Sequence, residues 1–373
     1  VYLKKLKLIN FRNYQQLDLI FHPKINVFIG DNAQGKTNIL EAIYLTSTGK
    51  SFRTNRDREL IKMDKDKAYI LVEGEKRYTS VSVELKLEEN KKKQIKVNGI
   101  TLTKNTDLLN NIHVVVFSPE DLKLVKEGPV ERRRFMDMEI SNIRPRYCHC
   151  LGQYNHVLMQ RNNLLKKIHH DRKYIATLDV WDEKLVELGT ILILERLKFI
   201  HRLNTLSRLL HRKITDSKEN LEIKYIASVK DIAEEERISQ SFHRELKKML
   251  EVDICRGTTT IGPHRDDLVF YVNGIDIRVF GSQGQQRTSA LSLKLAEIEL
   301  VKAETGEYPV LLLDDVMSEL DMKRQMFLIK SLRDIQTFIT TTDMSLLDSI
   351  RLGEENIFYI EKASVKKKNE NIS

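Results

Sequence analysis

The chain has 373 residues, 41% of them hydrophobic and 31% charged, with a formal net charge of +9. That balance excludes a disordered or fibrous polymer and leaves room for two or three domains, or for one large domain carrying an insertion. No apolar run reaches the roughly 20 residues a membrane helix needs, and Val1-Tyr2-Leu3-Lys4-Lys5 lacks the apolar core of a secretion signal, so a cytoplasmic protein without a membrane partner is expected.

The stretch from Leu3 to Phe11 partly alternates, as a half-buried strand does, and Ile25-Asn26-Val27-Phe28-Ile29 reads as a buried strand running into Gly30. The residues that follow, Gly30-Asp31-Asn32-Ala33-Gln34-Gly35-Lys36-Thr37, fit G-x-x-x-x-G-K-[ST]. In such a P-loop the glycines let backbone N–H groups wrap phosphates, the lysine bridges the β- and γ-phosphates and the hydroxyl holds Mg²⁺. From Asn38 the apolar residues fall at helical spacing through Leu45, completing a strand, loop and helix unit for which ATP and Mg²⁺ are the expected cofactors.

Val81 to Leu87 alternates strictly, and Asn98-Gly99 sits between two short apolar runs, so an antiparallel sheet is predicted here. Val114-Val115-Val116-Phe117 is a buried strand, and Ser118-Pro119-Glu120-Asp121 supplies a cap, an N1 proline and an acidic first turn for a helix starting at Pro119. Between about Ile143 and Leu250 glycine and proline nearly vanish, and Trp181 to Leu210 is a long helical stretch. A helical insertion is predicted, long enough for a short arm at about 1.5 Å per residue. Cys148-His149-Cys150 has the elements of a metal cluster but not its geometry, because neighbours on a helix point in different directions. A second hairpin is expected at Asn273-Gly274.

Two acidic motifs and a polar one complete the chemistry. Val310-Leu311-Leu312-Leu313-Asp314-Asp315 is an apolar strand ending in two acids. Such a strand is expected beside the P-loop strand, with Asp314 reaching the Mg²⁺ sphere and Asp315 orienting or deprotonating the attacking water. Ser282-Gln283-Gly284-Gln285-Gln286-Arg287 precedes a helical run, so a hydroxyl, backbone amides and a helix N-terminus converge as an anion site. Ser318-Glu319-Leu320-Asp321 follows three residues after Asp315. In order, these motifs resemble the P-loop, signature, Walker B and D-loop of ABC ATPases, with Gln283 in place of the first signature glycine. Leu8 to Tyr14, Ser51 to Thr54, Phe117 to Leu122, Gln160 to Asn162 and Gly262 to Asp267 extend the likeness over nearly the whole chain, to the SMC-like branch that serves recombinational repair.

The resemblance implies an α/β fold: an ABC-type, SMC-like P-loop head with a mixed sheet, formed by residues 1–118 with 255–373, and an inserted mostly helical lobe, residues 119–254. It implies a homodimer that assembles with ATP, in which Ser282, Gly284 and Gln285 of each copy complete the nucleotide site of the other. It also places Arg12 and Asn13 near the phosphates, the alternative for Arg12 being a surface position on an edge strand. Weak ATPase activity follows as an expectation, since Asp315 stands where many ABC proteins carry Glu and Thr342 where they usually carry His. The implied partners are duplex DNA near gaps or single-strand junctions, RecR, and RecO and RecA in the same pathway, and the implied place is the nucleoid. The runs Lys91-Lys92-Lys93, Arg132-Arg133-Arg134 and Lys366-Lys367-Lys368 suit a polyanion. His264 and Arg265 read equally as an anion contact or a structural turn. The competing readings are a transporter's nucleotide-binding subunit and a P-loop small-molecule kinase; the helical insertion and basic balance argue against the first, the signature and D-loop against the second.

Overall fold

Alternation of apolar and polar residues, partial over Leu3 to Phe11 and strict over Val81 to Leu87, builds a sheet with one buried face. In the computed structural model, which describes residues 1–232, 234–332, 334–343 and 356–367, that sheet is antiparallel and six-stranded among the described residues. Its strands are β1 (Tyr2–Phe11), β2 (Tyr14–Ile20), β4 (Lys67–Glu75), β5 (Ser80–Glu88), β6 (Gln94–Val97) and β7 (Ile100–Thr101), in the order β2-β1-β4-β5-β6-β7. Between β2 and β4 come β3 (Ile25–Ile29) and helix α1 (Lys36–Thr48). Most of α1 is buried around its whole circumference, as a helix is when packed on more than one side, and it touches strands of both sheets of its unit.

The chain continues through β8 (Val114–Phe117), α2 (Leu122–Lys126), α3 (Pro129–Ile143), α4 (Pro145–His170) and α5 (Leu178–Ile214). The helix expected at Pro119 opens as a 3₁₀ turn over Pro119–Asp121 with a reciprocal Ser118–Asp121 cap, and α2 follows it directly. Then come β9 (Leu221–Ile226), α6 (Glu235–Lys248), α7 (Leu250–Arg256), β10 (Asp267–Val272), β11 (Ile275–Asp276) and α8 (Gln283–Thr305). Strand β9 falls inside the stretch predicted to be helical. Leu221, Ile223 and Tyr225 alternate there, and β9 pairs antiparallel with β10 from Leu221↔Val272 to Ile226↔Asp267. The chain closes with β12 (Val310–Asp314), α9 (Met322–Ser331), β13 (Thr337–Thr341), β14 (Ile357–Glu361) and β15 (Ser364–Lys367).

Two compact units result, residues 1–122 with 294–373 and residues 123–293. In the first, a mixed sheet runs β15-β14-β3-β13-β12-β8, with β14, β3, β13, β12 and β8 parallel and β15 antiparallel. Its central strands β12 and β13 are buried almost without alternation, as strands covered on both faces are. The expected adjacency of the acidic strand and the P-loop strand is corrected here: β13 lies between β12 and β3, pairing with each. The buried Phe338-Ile339 pair of β13 fills that central position, and its Thr340 donates to Asp314 at the end of β12. Gln336 ties the two sheets of this unit together like an extra peptide, accepting from Leu3 N–H at 2.6 Å and donating to Leu3 O at 2.7 Å and His22 O at 2.9 Å.

Phe21, Phe28, Phe338 and Phe358 close one side of the mixed sheet, with Phe21 edge-on to Phe338 at 4.7 Å and Phe28 stacked on Phe358 at 5.2 Å. Phe338 is fully buried, so Phe338→Ala should cost about 3–5 kcal/mol by lost transfer energy and a residual cavity. Urea unfolding checks this; a loss under about 1 kcal/mol would mean that the cluster collapses around the deletion or is not central to the core.

Candidate nucleotide site and signature helix

The loop of residues 30–37 takes its shape from what surrounds it. A Cβ on Gly30 would stand 2.3 Å from the carbonyl oxygen of Ile360, so the approach of β14 demands glycine. Gly35 has φ +118°, and its Cβ would meet Asn13 Nδ2 and Tyr14 Oη at 2.8 Å, so both conformation and space demand glycine. Gln34 is held from two sides. Its carbonyl accepts from Asn13 Nδ2 at 3.2 Å and from Ala363 N–H at 3.1 Å, and its Oε1 accepts from Lys362 N–H at 2.6 Å. The β14–β15 turn therefore steadies the loop from the far end of the sequence, a contact no local pattern announces.

Helix α1 starts directly from this loop with Gly35 as N-cap, no side-chain cap and no acid in its first turn. The positive end of its dipole and its leading N–H groups thus favour an anion. Lys36 is buried and its Nζ donates to the carbonyls of Gly30 at 2.6 Å and Asp31 at 2.8 Å. Burial lowers its pKa, and Asp315, Asp314 and Asp31 pull it back up, so the site already balances one cation against several acids.

Asp314 Oδ1 accepts from Thr37 Oγ1 and from Thr340 Oγ1, each at 2.8 Å. The structure thereby brings together the loop hydroxyl and the strand acid assigned to Mg²⁺, across the intervening strand β13. A hydroxyl and a carboxylate are hard oxygen donors of the kind Mg²⁺ takes, so these residues fit that ion and a triphosphate at the α1 N-terminus. Asp315 adopts φ +53°, and its N–H donates to Thr340 Oγ1 at 2.9 Å. Desolvation raises the Asp315 pKa, Lys36 opposes the shift, and Asp314 and Glu319 add to it. Ser318, in the D-loop segment, donates to Asp315 O at 2.7 Å, and Asp321 caps α9 by accepting from Arg324 N–H at 2.9 Å.

Arg12 and Asn13 part company. Asn13 lies on the loop, bonded to Gln34 as above and accepting from Asn38 Nδ2 at 2.7 Å. Arg12 turns to Glu41, donating through Nε at 2.8 Å and Nη2 at 2.6 Å, and through Nη1 to Glu59 O at 2.8 Å. Glu41 is fully buried on α1 and also accepts from Ser51 Oγ at 2.5 Å and Arg53 Nη1 at 3.5 Å. Arg53 in turn donates to Asn38 Oδ1 at 2.9 Å, so one carboxylate organises the segment from Ser51 to Arg53 beside the first turn of α1. An open basin of about 750 Å³ lies here, lined by Arg12, Asn13, Asn38, Arg53 and Lys62 among others.

The signature residues belong to the second unit up to Leu293. Ser282 Oγ accepts from Gln285 N–H at 3.2 Å while Ser282 N–H donates to Gln285 Oε1 at 3.0 Å, a reciprocal cap on α8. Gln285 Nε2 donates to Glu219 Oε1 at 3.0 Å, and Glu219 Oε2 faces His211 Nε2 at 3.2 Å. His211 Nδ1 meets Ser292 Oγ at 3.1 Å, so a chain of polar contacts from α5 fixes the first turns of α8. Sequence reading missed Glu219 and His211, although the acid lies at the mouth of β9.

His264 and Arg265 are explained by structure. His264 Nε2 donates to Thr259 O at 3.0 Å, which leaves Nδ1 to accept from Tyr154 Oη at 2.7 Å, and burial pushes its pKa down to about 4. Arg265 donates to the same Thr259 carbonyl through Nε and Nη2. Cys150 is buried, with its thiol donating to Leu188 O, and among the described residues no group of three or more His, Cys, Asp or Glu side chains gathers as a metal cluster. No helix among the described residues is long and apolar enough to cross a membrane.

The RecF/RecN/SMC N-terminal domain model matches residues 2–365. The chain is 54% identical to the DNA replication and repair protein RecF of Alkaliphilus oremlandii over 97% of its own length and 99% of that protein's. It is 48% identical to RecF of Lachnoclostridium phytofermentans over 98% of this chain and 99% of that one. Among solved structures, the recombination mediator protein RecF-ATPrS in the RecFOR pathway superposes with a TM-score of 0.92 at 41% identity, covering 98% of each chain. An Smc head domain from Pyrococcus furiosus shares the fold, with a TM-score of 0.55 at 15% identity over 98% of this chain and 95% of its own.

The raised Asp315 pKa gives a signed expectation. A carboxyl that holds its proton more tightly when folded opposes folding once ionised, and that penalty fades as pH falls through the folded-state value toward the unfolded one. Asp315→Asn, which also tolerates positive φ, should therefore raise the urea midpoint of the nucleotide-free protein at pH 7.5, with the gain shrinking as the solution is acidified toward pH values of about 4. A gain that does not change with pH would assign the effect to something other than the charge.

Proposed function

This chain belongs to the RecF/RecN/SMC N-terminal domain family, with RecF proteins as its near full-length relatives, and from that premise we propose that it is a DNA replication and repair ATPase working as a nucleotide-gated clamp. The observation that carries this reading is the convergence of Thr37 and Thr340 on Asp314 at the mouth of the loop of residues 30–37. Lys36 and the α1 N-terminus bind the triphosphate, Asn13 steadies the loop, and Thr37 with Asp314 hold Mg²⁺, which supplies charge neutralisation at the phosphates. Asp315, poised by its raised pKa, takes a proton from the attacking water. The shorter reach of Asp315 compared with Glu, and Thr342 where a histidine is usual, make turnover slow, so hydrolysis acts as a switch.

Ser282, Gly284 and Gln285 complete the nucleotide site of a second copy, so ATP binding and homodimerisation are one event and loss of the γ-phosphate releases the pair. The dimer binds duplex DNA at gaps or single-strand junctions and, with RecR and RecO, supports loading of RecA. The basic runs differ in what they can contribute to phosphate binding. Arg132 is buried against Asp267, with Nε and Nη2 at 2.6 and 3.0 Å from its two oxygens, and Arg133 donates to Asp266 O, so these two are tied into the fold while Arg134 is exposed. Lys91 and Lys92 are exposed, whereas Lys368 lies outside the described residues. Against the transporter and kinase readings, the relatives named above are RecF proteins aligned along nearly their whole length.

Three variants separate binding from assembly. Lys36→Ala should lose about 1.5–3 kcal/mol of ATP affinity or more in an equilibrium titration, as loss of a charged donor does. Ser282→Arg should bind ATP like the parent yet stay monomeric, whereas Asp315→Asn should accumulate the ATP-bound dimer. If Ser282→Arg dimerises with ATP as the parent does, the clamp is wrong. For DNA, affinity in the presence of ATP should fall with salt at a log–log slope of about −0.9 per phosphate neutralised, with little sequence preference. A flat response would remove the polyanion from the proposal.

A further inference from the structure

Two large apolar side chains stand immediately ahead of the signature and are used by none of the chemistry above. Val279 is 60% exposed and Phe280 is 76% exposed. They do not sit on a loose loop. Phe280 N–H donates to Asp276 O at 3.0 Å and Gly281 N–H to Ile277 O at 3.2 Å, closing a single helical turn. Arg278 N–H donates to Asp276 Oδ1 at 2.9 Å. Ile277, 1% exposed, plugs the turn into the core, and its carbonyl also accepts at 2.9 Å from the buried Nε2 of Gln286 in the first turn of α8. A Cβ on Gly281 would come within 2.5 Å of the same carbonyl, so the chain passes too closely there for the turn to slide. The turn and the start of α8 are one rigid piece, and it holds Val279 and Phe280 out into water.

Isolated exposed apolar residues are ordinary, but an adjacent pair on a locked turn is a small prepared surface. Two residues of chain span at most about 7 Å, so any surface that receives Ser282 must also lie close to Phe280. We infer that Val279 and Phe280 are the apolar anchor of the nucleotide-dependent dimer, seated against the second copy beside Ser282. This rests on the reading that Ser282 acts in trans. Aromatic side chains dominate the energetic centres of such interfaces, where they exclude water from the polar contacts around them. A nucleic-acid backbone fits the segment less well, because residues 278–283 offer one cation, Arg278.

The test measures association and ATP affinity separately in the full chain. With ATP and Mg²⁺, sedimentation velocity across a concentration series should show the dimer of Phe280→Ser weakened about tenfold or more, with Phe280→Leu intermediate. ATP affinity at protein concentrations below dimerisation should stay within about twofold of the parent, because the nucleotide loop is untouched. Phe280→Trp adds a readout independent of affinity: the emission of the introduced indole, referenced to the parent's Trp181, should shift to shorter wavelength as the dimer forms. Parent-like dimerisation of Phe280→Ser, or an emission from Phe280→Trp that association leaves unchanged, overturns the anchor. Normal dimerisation with weakened duplex binding overturns it too, assigning the side chain to DNA. Ser282→Arg run in parallel keeps the two ideas apart: a monomeric Ser282→Arg beside a fully dimeric Phe280→Ser sinks only the anchor, whereas a dimeric Ser282→Arg sinks the trans reading beneath it.

Discussion

One carboxylate oxygen, Asp314 Oδ1, joins the ends of three chain segments that meet at the nucleotide loop. It accepts from Thr37 at the start of α1 and from Thr340 on β13, and it sits at the end of β12. Because β13 separates β12 from β3, the acid could not be shared with the loop by neighbouring-strand pairing alone. Thr340 fills the gap chemically: its hydroxyl donates to Asp314 and accepts from the N–H of Asp315, so it fixes the orientation of both acids at once. Hydrogen bonds to an ionised acceptor are shorter and stronger than neutral ones, and each here is made by a side chain already ordered by a strand or a helix. The outcome is a pair of acids whose orientation the fold itself sets. Asp315 is the strained exception, with a left-handed backbone and a carboxyl that burial keeps partly reluctant to ionise.

The second unit is organised by a different constraint, the pairing of buried arginines. Arg161 is fully buried and donates to Asp182 at 2.6 Å, Asp253 at 2.8 Å and Thr259 Oγ1 at 2.8 Å. Arg196, also buried, bonds Tyr147, Asp137 and the carbonyl of Pro263. Such pairs add little net stability over a packed apolar core, yet removing one partner leaves a charge stranded and costs about 3–5 kcal/mol. Their effect is to fix which helix meets which loop: Arg161 holds Thr259, and Arg196 and Arg132 reach the Gly262 to Asp267 segment that follows. Asp266 accepts from Ser228 N–H at 2.7 Å and from Tyr225, and Asp267 takes Arg132. A sequence motif that could be read as a ligand contact is here the knot of a fold.

Much of this was legible in sequence because the responsible physics is local. The strand, loop and helix around residues 30–37, both Asn-Gly hairpins and the long helix α5 follow from periodicity and from turn residues with positive φ, Asn98 and Asn273 among them. What escaped was set by distant partners. Lys362 reaches Gln34 across 328 positions, and Thr340 reaches Asp314 from a strand whose place in the sheet no local pattern fixes. Arg12 shows the same limit. Its pairing with the buried Glu41 in the second turn of α1 is visible only once β1 and α1 are packed. β9 escaped for a different reason, since its six residues do alternate but lie between long helical stretches that dominate the reading.

The signature departs from its expected pattern at Gln283, and backbone geometry shows why that is tolerated. Gly35 in the nucleotide loop must be glycine because its φ is +118°, whereas neither Gln283 nor Gly284 adopts positive φ. Gln283 is the first residue of α8, a position that asks for helical backbone and nothing of the side chain beyond an outward path. Ser282 cannot be exchanged so freely, because its Oγ accepts from Gln285 N–H while its own N–H is taken by the Gln285 side chain. Serine and the second glutamine therefore act as a pair that shapes the helix start, and Glu219 locks the pair to the strand behind it. Gly284, the second residue of α8, leaves the helix start without a side chain at that position, and its backbone, lacking positive φ, does not itself require glycine.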